Sequence, residues 1–500
     1  MSEKVKHAKR HVQDMRAKTK NFGWVFALLL VAQFIATTAL IVALNRLNLL
    51  QTWQYALVLI VLYALFALNL ILLFRAKAKA GKIVAVILAL ILTLLCAFGY
   101  KYVRQTVTFV EKITGAEYET QVYKVLSLKN SAYDNVDMLA RQHVGFLKAN
   151  PNLDNTHAAL KTKVDYKNTD YDELGQLVAA IYDHQVAAVV LNDDYLTYLE
   201  EEADSTFVED TRVIYEFEVR ADTLDLRKAV DVVAEPFVIY ISGSDSRGSI
   251  KQVARSDVNI VAVVNPQKAK ILLVSIPRDY YVQLHGTTGI RDKLTHAGVY
   301  GINMSKATIE DLLDVDVNYT VKVGFQTVIK VVDALGGIDI DSDQAFTAYT
   351  NKKCSFIKGL NKNVSSECAL AFARERKSYA TGDRHRGQNQ QQVLTKIIQK
   401  MSDPHYAVRY SDILTAAEGS FDTSLTYDEI TNFARYQLNS MRKWSVESIQ
   451  VDGTGSMQPT YSMGARKLYV MIPDQATIAA AKAKIAEYLG QTSDADTATE

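Results

Sequence analysis

The stretch FARERKSYATGDRHRGQNQQ, Phe372 to Gln391, gathers Arg374, Arg376, Lys377, Arg384 and Arg386, with Asp383 and His385 between them. A guanidinium is a planar fork that binds carboxylate or phosphate oxygens in pairs, so this density reads as a grip on an anion. Helical phase sharpens the reading. Val393, Leu394, Ile397, Ile398 and Met401 form one apolar face, and stepping it backwards reaches Gln390 and then Arg386. An arginine turned toward a core needs an anionic partner, because a buried charge is costly unless paired. An internal salt bridge to Glu375 or Asp383 accounts for one such arginine and leaves the others unexplained.

Two further clusters stand where strands are expected to end. Asp245 and Arg247 follow VIYISG, Arg255 and Asp257 precede VNIVAVV, and Arg278 and Asp279 close AKILLVSIP. If these strands are sheet neighbours, their loops bring Asp245, Asp257, Arg255 and Arg278 to one edge. Two carboxylates completed by substrate oxygens and water are a common way to hold magnesium, without His or Cys. Alone, each Asp reads as a turn or cap. Beside an arginine-rich segment the pair makes a diphosphate site, the forks binding oxygens and the metal offsetting charge. The sequence has no Walker loop, GxSxG or HExxH. GSDSRG is a weak phosphate cradle by itself.

The elements that position these residues lie in a 500-residue chain of net charge +1, too neutral for a global field attracting nucleic acid. Three apolar runs, Trp24 to Leu44, Trp53 to Phe74 and Ile83 to Tyr100, carry no charge and are of a length to cross a bilayer, which takes about 20 residues each. A cleaved signal peptide has a single, shorter apolar core. Lys4, Lys6, Lys9, Arg10, Arg16, Lys18 and Lys20 precede the first run, only Arg46 separates the first two, and Arg75, Lys77, Lys79 and Lys82 precede the third. Basic flanks stay in the cytoplasm, so the amino terminus is expected inside and everything after the third span outside. The arginine cluster is then extracytoplasmic.

Beyond the spans, VYKVLSL, VAAVVL and VIYEFEV read as strands and YDELGQLVAAIYDHQ as a helix, a small α/β accessory domain. From Val232 the pattern changes. PFVIYISG is a buried strand, VNIVAVV and AKILLVSI flank NPQK as a hairpin, and a helix over Asn303 to Asp314 has Asn303 or Ser305 as its cap. GFQTVIKVVDALGG is a helix stopped by Gly336 and Gly337, with the strand IDID after it. Strands interleaved with helices predict a mixed sheet covered by helices. The expected divisions are a basic cytoplasmic segment 1–23, three spans over 24–103, the accessory domain 104–231, a second α/β domain 232–489 and a disordered acidic tail 490–500. Of three cysteines, Cys96 falls in the third span and Cys354 and Cys368 outside. Those two are expected to form a disulfide, the alternative being two free thiols.

ISGSDSRG, RSDVNIVAVVNP, LLVSIPRDYYV, DKLTHA, VDALGGIDID and ARERKSYATGDRHRGQNQQ, in this order, resemble the LytR–CpsA–Psr family of bacterial envelope proteins. The accessory domain and multiple spans are similar to its capsule-associated CpsA branch. The resemblance implies an α/β fold, a central mixed sheet whose covering helices enclose a lipid channel. It implies a magnesium-dependent phosphotransferase, with manganese as the alternative ion, moving a polysaccharide from an undecaprenyl diphosphate carrier to peptidoglycan at the outer face of the bilayer. Asp245 and Asp257 would then hold the metal, and Arg255, Arg278, Arg374, Arg376, Arg386 and Gln390 the diphosphate. Asp383 would act as a base or orient an arginine, with Arg278 at the reacting centre. Other capsule-assembly proteins are expected partners; nucleic acid is not. Three readings compete: a transcriptional regulator, which needs its basic groups in the cytoplasm; a non-catalytic scaffold for capsule synthesis; and a lipid-diphosphate hydrolase.

Overall fold

The computed structural model describes residues 3–75, 79–114, 118–148, 150, 152–201, 206–222, 225–244, 250–379, 382–401, 403, 419 and 421–491. They fall into two compact units, Met1–Glu111 with Tyr427–Met441, and Lys112–Thr426 with Arg442–Glu500.

The first unit is built on the helices α1 (Glu3–Leu47), α2 (Thr52–Arg75) and α3 (Lys79–Ile113). Phe26–Leu47, Thr52–Arg75 and Ala80–Ile113 are long and apolar enough to cross a membrane. Two helices outrun the expected spans: α1 starts inside the basic segment, and α3 runs past residue 103. The α3 extension contains no Pro or Gly to stop it, and the single Gly23 of the α1 extension does not break that helix. Trp53, Leu94 and Phe98 are mostly exposed, as surfaces facing lipid must be. The inner faces carry polar contacts. The buried amides of Gln33 and Asn69 meet at 2.8 Å, and Thr37 Oγ1 lies 3.7 Å from Cys96 Sγ. Such contacts tie together helices that gain nothing from leaving lipid. The helix Tyr427–Ser440 joins this unit, its Tyr427 hydroxyl donating to the Arg46 carbonyl at 3.0 Å.

The second unit holds two larger sheets. The first is formed by β1 (Tyr118–Leu128), β2 (His143–Leu147), β3 (Lys167–Tyr171), β4 (Ala188–Asn192) and β5 (Thr211–Asp222), in the order β3-β2-β4-β1-β5. The helix Leu174–Tyr182 covers it with Leu174, Leu177 and Ile181. The three strands expected in this region lie in β1, β4 and β5.

The second sheet begins with β6 (Phe237–Ser244), β7 (Val258–Asn265) and β8 (Lys270–Ile276), followed by the short pair β9 (Tyr281–Val282) and β10 (Asp292–Lys293). Next come β11 (Tyr319–Gly324), β12 (Ile338–Ser342), β13 (Phe346–Thr347), β14 (Ser355–Phe356), β15 (Gly359–Val364), β16 (Phe421–Thr423) and β17 (Ser445–Gln450). A hairpin of β18 (Gly453–Thr460) and β19 (Gly464–Pro473) follows. The sheet order is β16-β11-β6-β7-β8-β17. Strands β6, β7 and β8 run antiparallel, while β11 and β17 lie parallel to β6 and β8. The sheet is therefore mixed. Every residue of β7 is buried, as a central strand covered on both faces requires. Leu272 and Val274 face a core with Ile309 and Leu313 of the helix Ile302–Leu313 and Ile478 and Ile485 of the helix Gln475–Leu489. Because side chains alternate along a strand, Leu273 and Ser275 face the other way. There lies the helix Asp383–Met401.

Two details depart from the expected organisation. The helix expected from Asn303 starts at Ile302, with Gly301 at its cap and φ of 96°. Neither Asn303 nor Ser305 caps it; the carboxylate of Glu119, on β1, accepts the Ile302 N–H at 3.2 Å. Met463 and Leu468, from the β18–β19 hairpin, join the core of the first sheet. A boundary at 231 thus divides the chain without dividing the packing. The expected disordered tail, 490–500, lies outside the described residues from 492 onward.

Candidate functional site

Strand direction puts the polar clusters together. β6 and β8 end, and β7 begins, at the same edge of the sheet, because Gly243 pairs with Val258 and Asn259 with Ile276. β11 runs parallel to β6, so its end at Gly324 lies there too. Arg255 and Asp257 enter β7 at this edge, and Arg278 leaves β8 there. Asp245 and Arg247 fall outside the described residues; the chain at Gly243 is tied to this place by the Asp257 N–H, which donates to the Gly243 carbonyl at 2.8 Å.

The arginine-rich stretch arrives at the same edge by helix packing. Gln391 Nε2 donates to the carbonyls of Leu273 on β8 and Ile449 on β17, at 3.1 and 2.6 Å. Gly387, one turn earlier, sits where an added Cβ would lie 3.0 Å from both Ser275 Oγ and Gln450 Nε2. Four helix residues rise about 6 Å and two strand residues about 7 Å, so the helix runs antiparallel to β8. One more turn brings Asp383 past the strand end, toward Arg278. Gly387 permits the close approach: with no side chain, the helix lies down on the sheet. Arg386 and Gln390 are half-buried beside it, whereas Gly387, Asn389 and Gln391 are buried. Arg374, ending the helix Ser366–Arg374, stacks 5.1 Å from the ring of Phe325, the residue after β11. Arg376 is exposed two residues on. The side chains of Asp383 and Arg384 fall outside the described residues.

Supports under these loops were not legible as functional. Ser256 points inward, its hydroxyl 2.7 Å from Ser242 Oγ and 3.1 Å from the Tyr240 hydroxyl, which turns Arg255 and Asp257 the other way. The Ser256 N–H donates to the Thr295 carbonyl and the Thr295 N–H to the Arg278 carbonyl, so DKLTHA straps both loops. Gly298 lies so near that a Cβ there would meet the Ala254 carbonyl at 2.5 Å. Asp292 and His296, fully buried, are joined at 2.6 Å, and Ser462 N–H donates to the same carboxylate at 2.9 Å, pinning the β18–β19 turn. Lys322 donates to Glu119 at 2.7 Å and to the Gln252 carbonyl at 3.3 Å, in the loop leading to Arg255. Of these supports Ser242, Ser256, Asp292, Thr295 and His296 lay in segments that carry the family resemblance, ISGSDSRG, RSDVNIVAVVNP and DKLTHA, with no role read for them singly.

Arginine predominates in the electrostatics. Arg278 Nη1 donates to Asp257 at 2.8 Å, with both side chains mostly buried. Asp279 is taken up by Lys293 at 3.3 Å. Glu375, one of the two partners of the alternative salt-bridge reading, is buried and accepts the Tyr349 and Ser378 N–H groups at 2.5 and 3.0 Å. His385 stacks on Tyr379, the ring centroids 3.4 Å apart, and burial lowers its pKa, favouring the neutral ring. Among the described residues no three His, Cys, Asp or Glu converge as a metal cage. A divalent ion at this edge would draw on Asp257 and the Asp245 loop, with substrate oxygens and water completing it; a half-buried carboxylate at the mouth of an arginine cluster fits that donor set.

Asp422, on β16 opposite Lys322, gives a testable pH effect. Burial raises its carboxyl to about 6 against the pull of Lys322 and Lys251. The folded protein holds that proton more tightly than the unfolded chain. The resulting stabilisation is present below pH about 4 and is lost as pH rises through about 6. Asp422→Asn should therefore raise the thermal midpoint near pH 7.5, by at most the equivalent of about 3 kcal/mol, and hardly change it near pH 3.5. Equal midpoints of variant and parent at the higher pH would refute this.

The sequence has relatives among known proteins. A polyisoprenyl-teichoic acid–peptidoglycan teichoic acid transferase TagU of Bacillus mycoides (strain KBAB4) is 37% identical over 223 residues, 44% of this chain and 70% of the relative. A protein of the same name from Enterococcus faecalis (strain ATCC 700802 / V583) is 32% identical over 231 residues, 45% of this chain and 72% of the relative. The crystal structure of B. subtilis TagV is 28% identical, covers 52% of this chain and 99% of its own, and superposes with a TM-score of 0.43. The model of the LytR_cpsA_psr family matches residues 205–484, which takes in β6 to β19 and the whole arginine-lined edge. With more than half its length inside that match, this chain belongs to the LytR_cpsA_psr family.

Proposed function

We propose that the protein is a membrane-anchored phosphotransferase that moves a glycopolymer from a polyprenyl diphosphate carrier onto peptidoglycan. One observation carries the reading: the ends of β6 and β8, the start of β7 and the arginine-rich helix meet at one sheet edge. The relatives' names, which specify transfer of a polyisoprenyl-linked teichoic acid to peptidoglycan, support it. For this chain the polymer is a capsular polysaccharide, the lipid is undecaprenyl and the site faces outward. The accessory sheet ahead of the family core and the basic flanks of the three spans support those finer points. Reporter fusions after Lys79 and Glu117 test the orientation, a cytoplasmic signal at Glu117 counting against it.

Arg255, Arg278, Arg374, Arg376 and Arg386, with Gln390, hold the diphosphate oxygens and fix the phosphorus for in-line attack. A peptidoglycan hydroxyl forms the new P–O bond while the bond to the bridging oxygen breaks, and lipid monophosphate departs. Asp383, opening the helix, receives the hydroxyl proton or orients an arginine. Phosphoryl transfer depends mainly on positioning and on neutralised charge, which these groups supply without a covalent intermediate. Magnesium bound by Asp245 and Asp257 would add charge neutralisation at the diphosphate.

Purified full-length protein with lipid-linked polymer and peptidoglycan should yield polymer covalently joined to peptidoglycan, and a metal chelator should suppress it. Carrier consumed with only free polymer phosphate released would replace transfer by hydrolysis. Carrier bound and never consumed would leave a scaffold.

A further inference from the structure

We infer that the disulfide-stapled segment from Phe346 to Val364 docks on an anionic bilayer surface. Its sequence, FTAYTNKKCSFIKGLNKNV, contains four lysines and no carboxylate. Large apolar side chains are exposed among them: Ile357 is 64% exposed, Tyr349 54% and Leu360 45%. Lys352, Lys353, Lys358 and Lys362 are all exposed as well. Along β15, alternation places Leu360 and Lys362 on one face, with Ile357 and Lys358 at the turn before it.

The exposure belongs to a built element. Phe356 and Phe346 stack at 4.9 Å over Phe372, and the Cys354–Cys368 bond ties the segment to the helix that carries Arg374. Asn361 closes the turn, accepting the Ile357 N–H and donating to the Ile357 and Gly359 carbonyls, each at 2.9 Å. Three carboxylates beside the segment are engaged, Asp341 with Lys396, Asp339 with the Asn363 N–H and Glu375 with the Tyr349 N–H. The segment therefore presents exposed aliphatic side chains and exposed ammonium groups together. That pairing is what an interface of acyl chains and anionic headgroups accepts, the lysines reaching phosphates while their stems and neighbours enter the boundary. A polyanionic glycan would satisfy the lysines and leave Ile357 and Leu360 in water. Three spans hold the chain at a bilayer, so the surface is always near. The inference stands apart from the diphosphate reading, since it requires no bound substrate.

The test uses the full chain in lipid nanodiscs with an environment-sensitive fluorescent residue incorporated at position 357. In discs containing phosphatidylglycerol the emission should shift to the blue and be quenched by brominated lipid. Both effects should fade in pure phosphatidylcholine, at raised salt, and in the K352E/K353E/K358E/K362E variant, provided its thermal midpoint is unchanged. Emission indifferent to brominated phosphatidylglycerol in the lysine-bearing protein would overturn the inference, as would a response only to added anionic polymer. Transfer activity is not the readout, so its loss in any arm bears on the proposed function alone.

Discussion

Arg386→Lys is expected to reduce polymer transfer roughly a hundredfold, the scale seen when one donor to a developing oxyanion is lost. The thermal midpoint should barely move. Arg386 stands half-buried, one residue before the glycine on which the helix lies against β8 and β17. Its backbone is therefore fixed independently of its side chain. A lysine keeps the charge and loses the planar fork, so it holds one phosphate oxygen where arginine holds two. Arg374→Lys should lose part of its placement as well, because an ammonium stacks on Phe325 less well than a guanidinium does. An internal salt bridge predicts the reverse pattern, with lysine restoring activity and stability together. Binding of lipid diphosphate and the melting midpoint, measured on the same purified variants, separate the two. An Arg386→Lys protein that binds normally and melts early would place the diphosphate elsewhere.

The second large effect concerns Cys354 and Cys368, joined across a separation of 14 residues. Closing a loop of that size is worth about 3 kcal/mol in the chain-entropy model. Replacing both with alanine should therefore lower the midpoint of the second unit by roughly 3 to 5 °C. Reductant should do the same to the parent and nothing further to the double variant. Transfer should fall less than stability, since Arg374 is also held through the buried Phe372 and Ala371. A parent whose midpoint ignores reductant, or which shows two titratable thiols besides Cys96, would contradict this.

Much of the second unit was legible because its signals are local. VNIVAVV and AKILLVSI, an unbroken pair of apolar runs around NPQK, state both a hairpin and its depth. Gly336 stops its helix with φ of 71°, a conformation that glycine adopts cheaply. The candidate site was readable as residue types at strand ends, and the condition that those strands be neighbours is met by the sheet order. What escaped depends on partners far away in the chain. Glu119 caps a helix that begins at Ile302, and Met463 completes a core built from residues before 210. The helix Tyr427–Ser440 interrupts the second unit to join the first. The inward phase through Gln390 and Arg386 was read from the apolar half of the helix. Near the amino end, Gly387 and Gln391 take the buried line through close approach and hydrogen bonds, which an apolar pattern does not register.

The position of β17 has a consequence for how the protein comes into being. Its strand lies parallel to β8, and the arginine-bearing helix rests on both, through Gln391 and Gly387. The strand that completes this floor is made long after the helix that lies on it. Until β17 is made, that helix has half a surface to settle on and the Gln391 amide has one carbonyl in place of two. The support of the arginine-bearing helix is consequently completed late in synthesis. A chain that ended before β17 would carry every arginine of the site and the ends of β6, β7 and β8, and would still lack half the floor on which their helix rests.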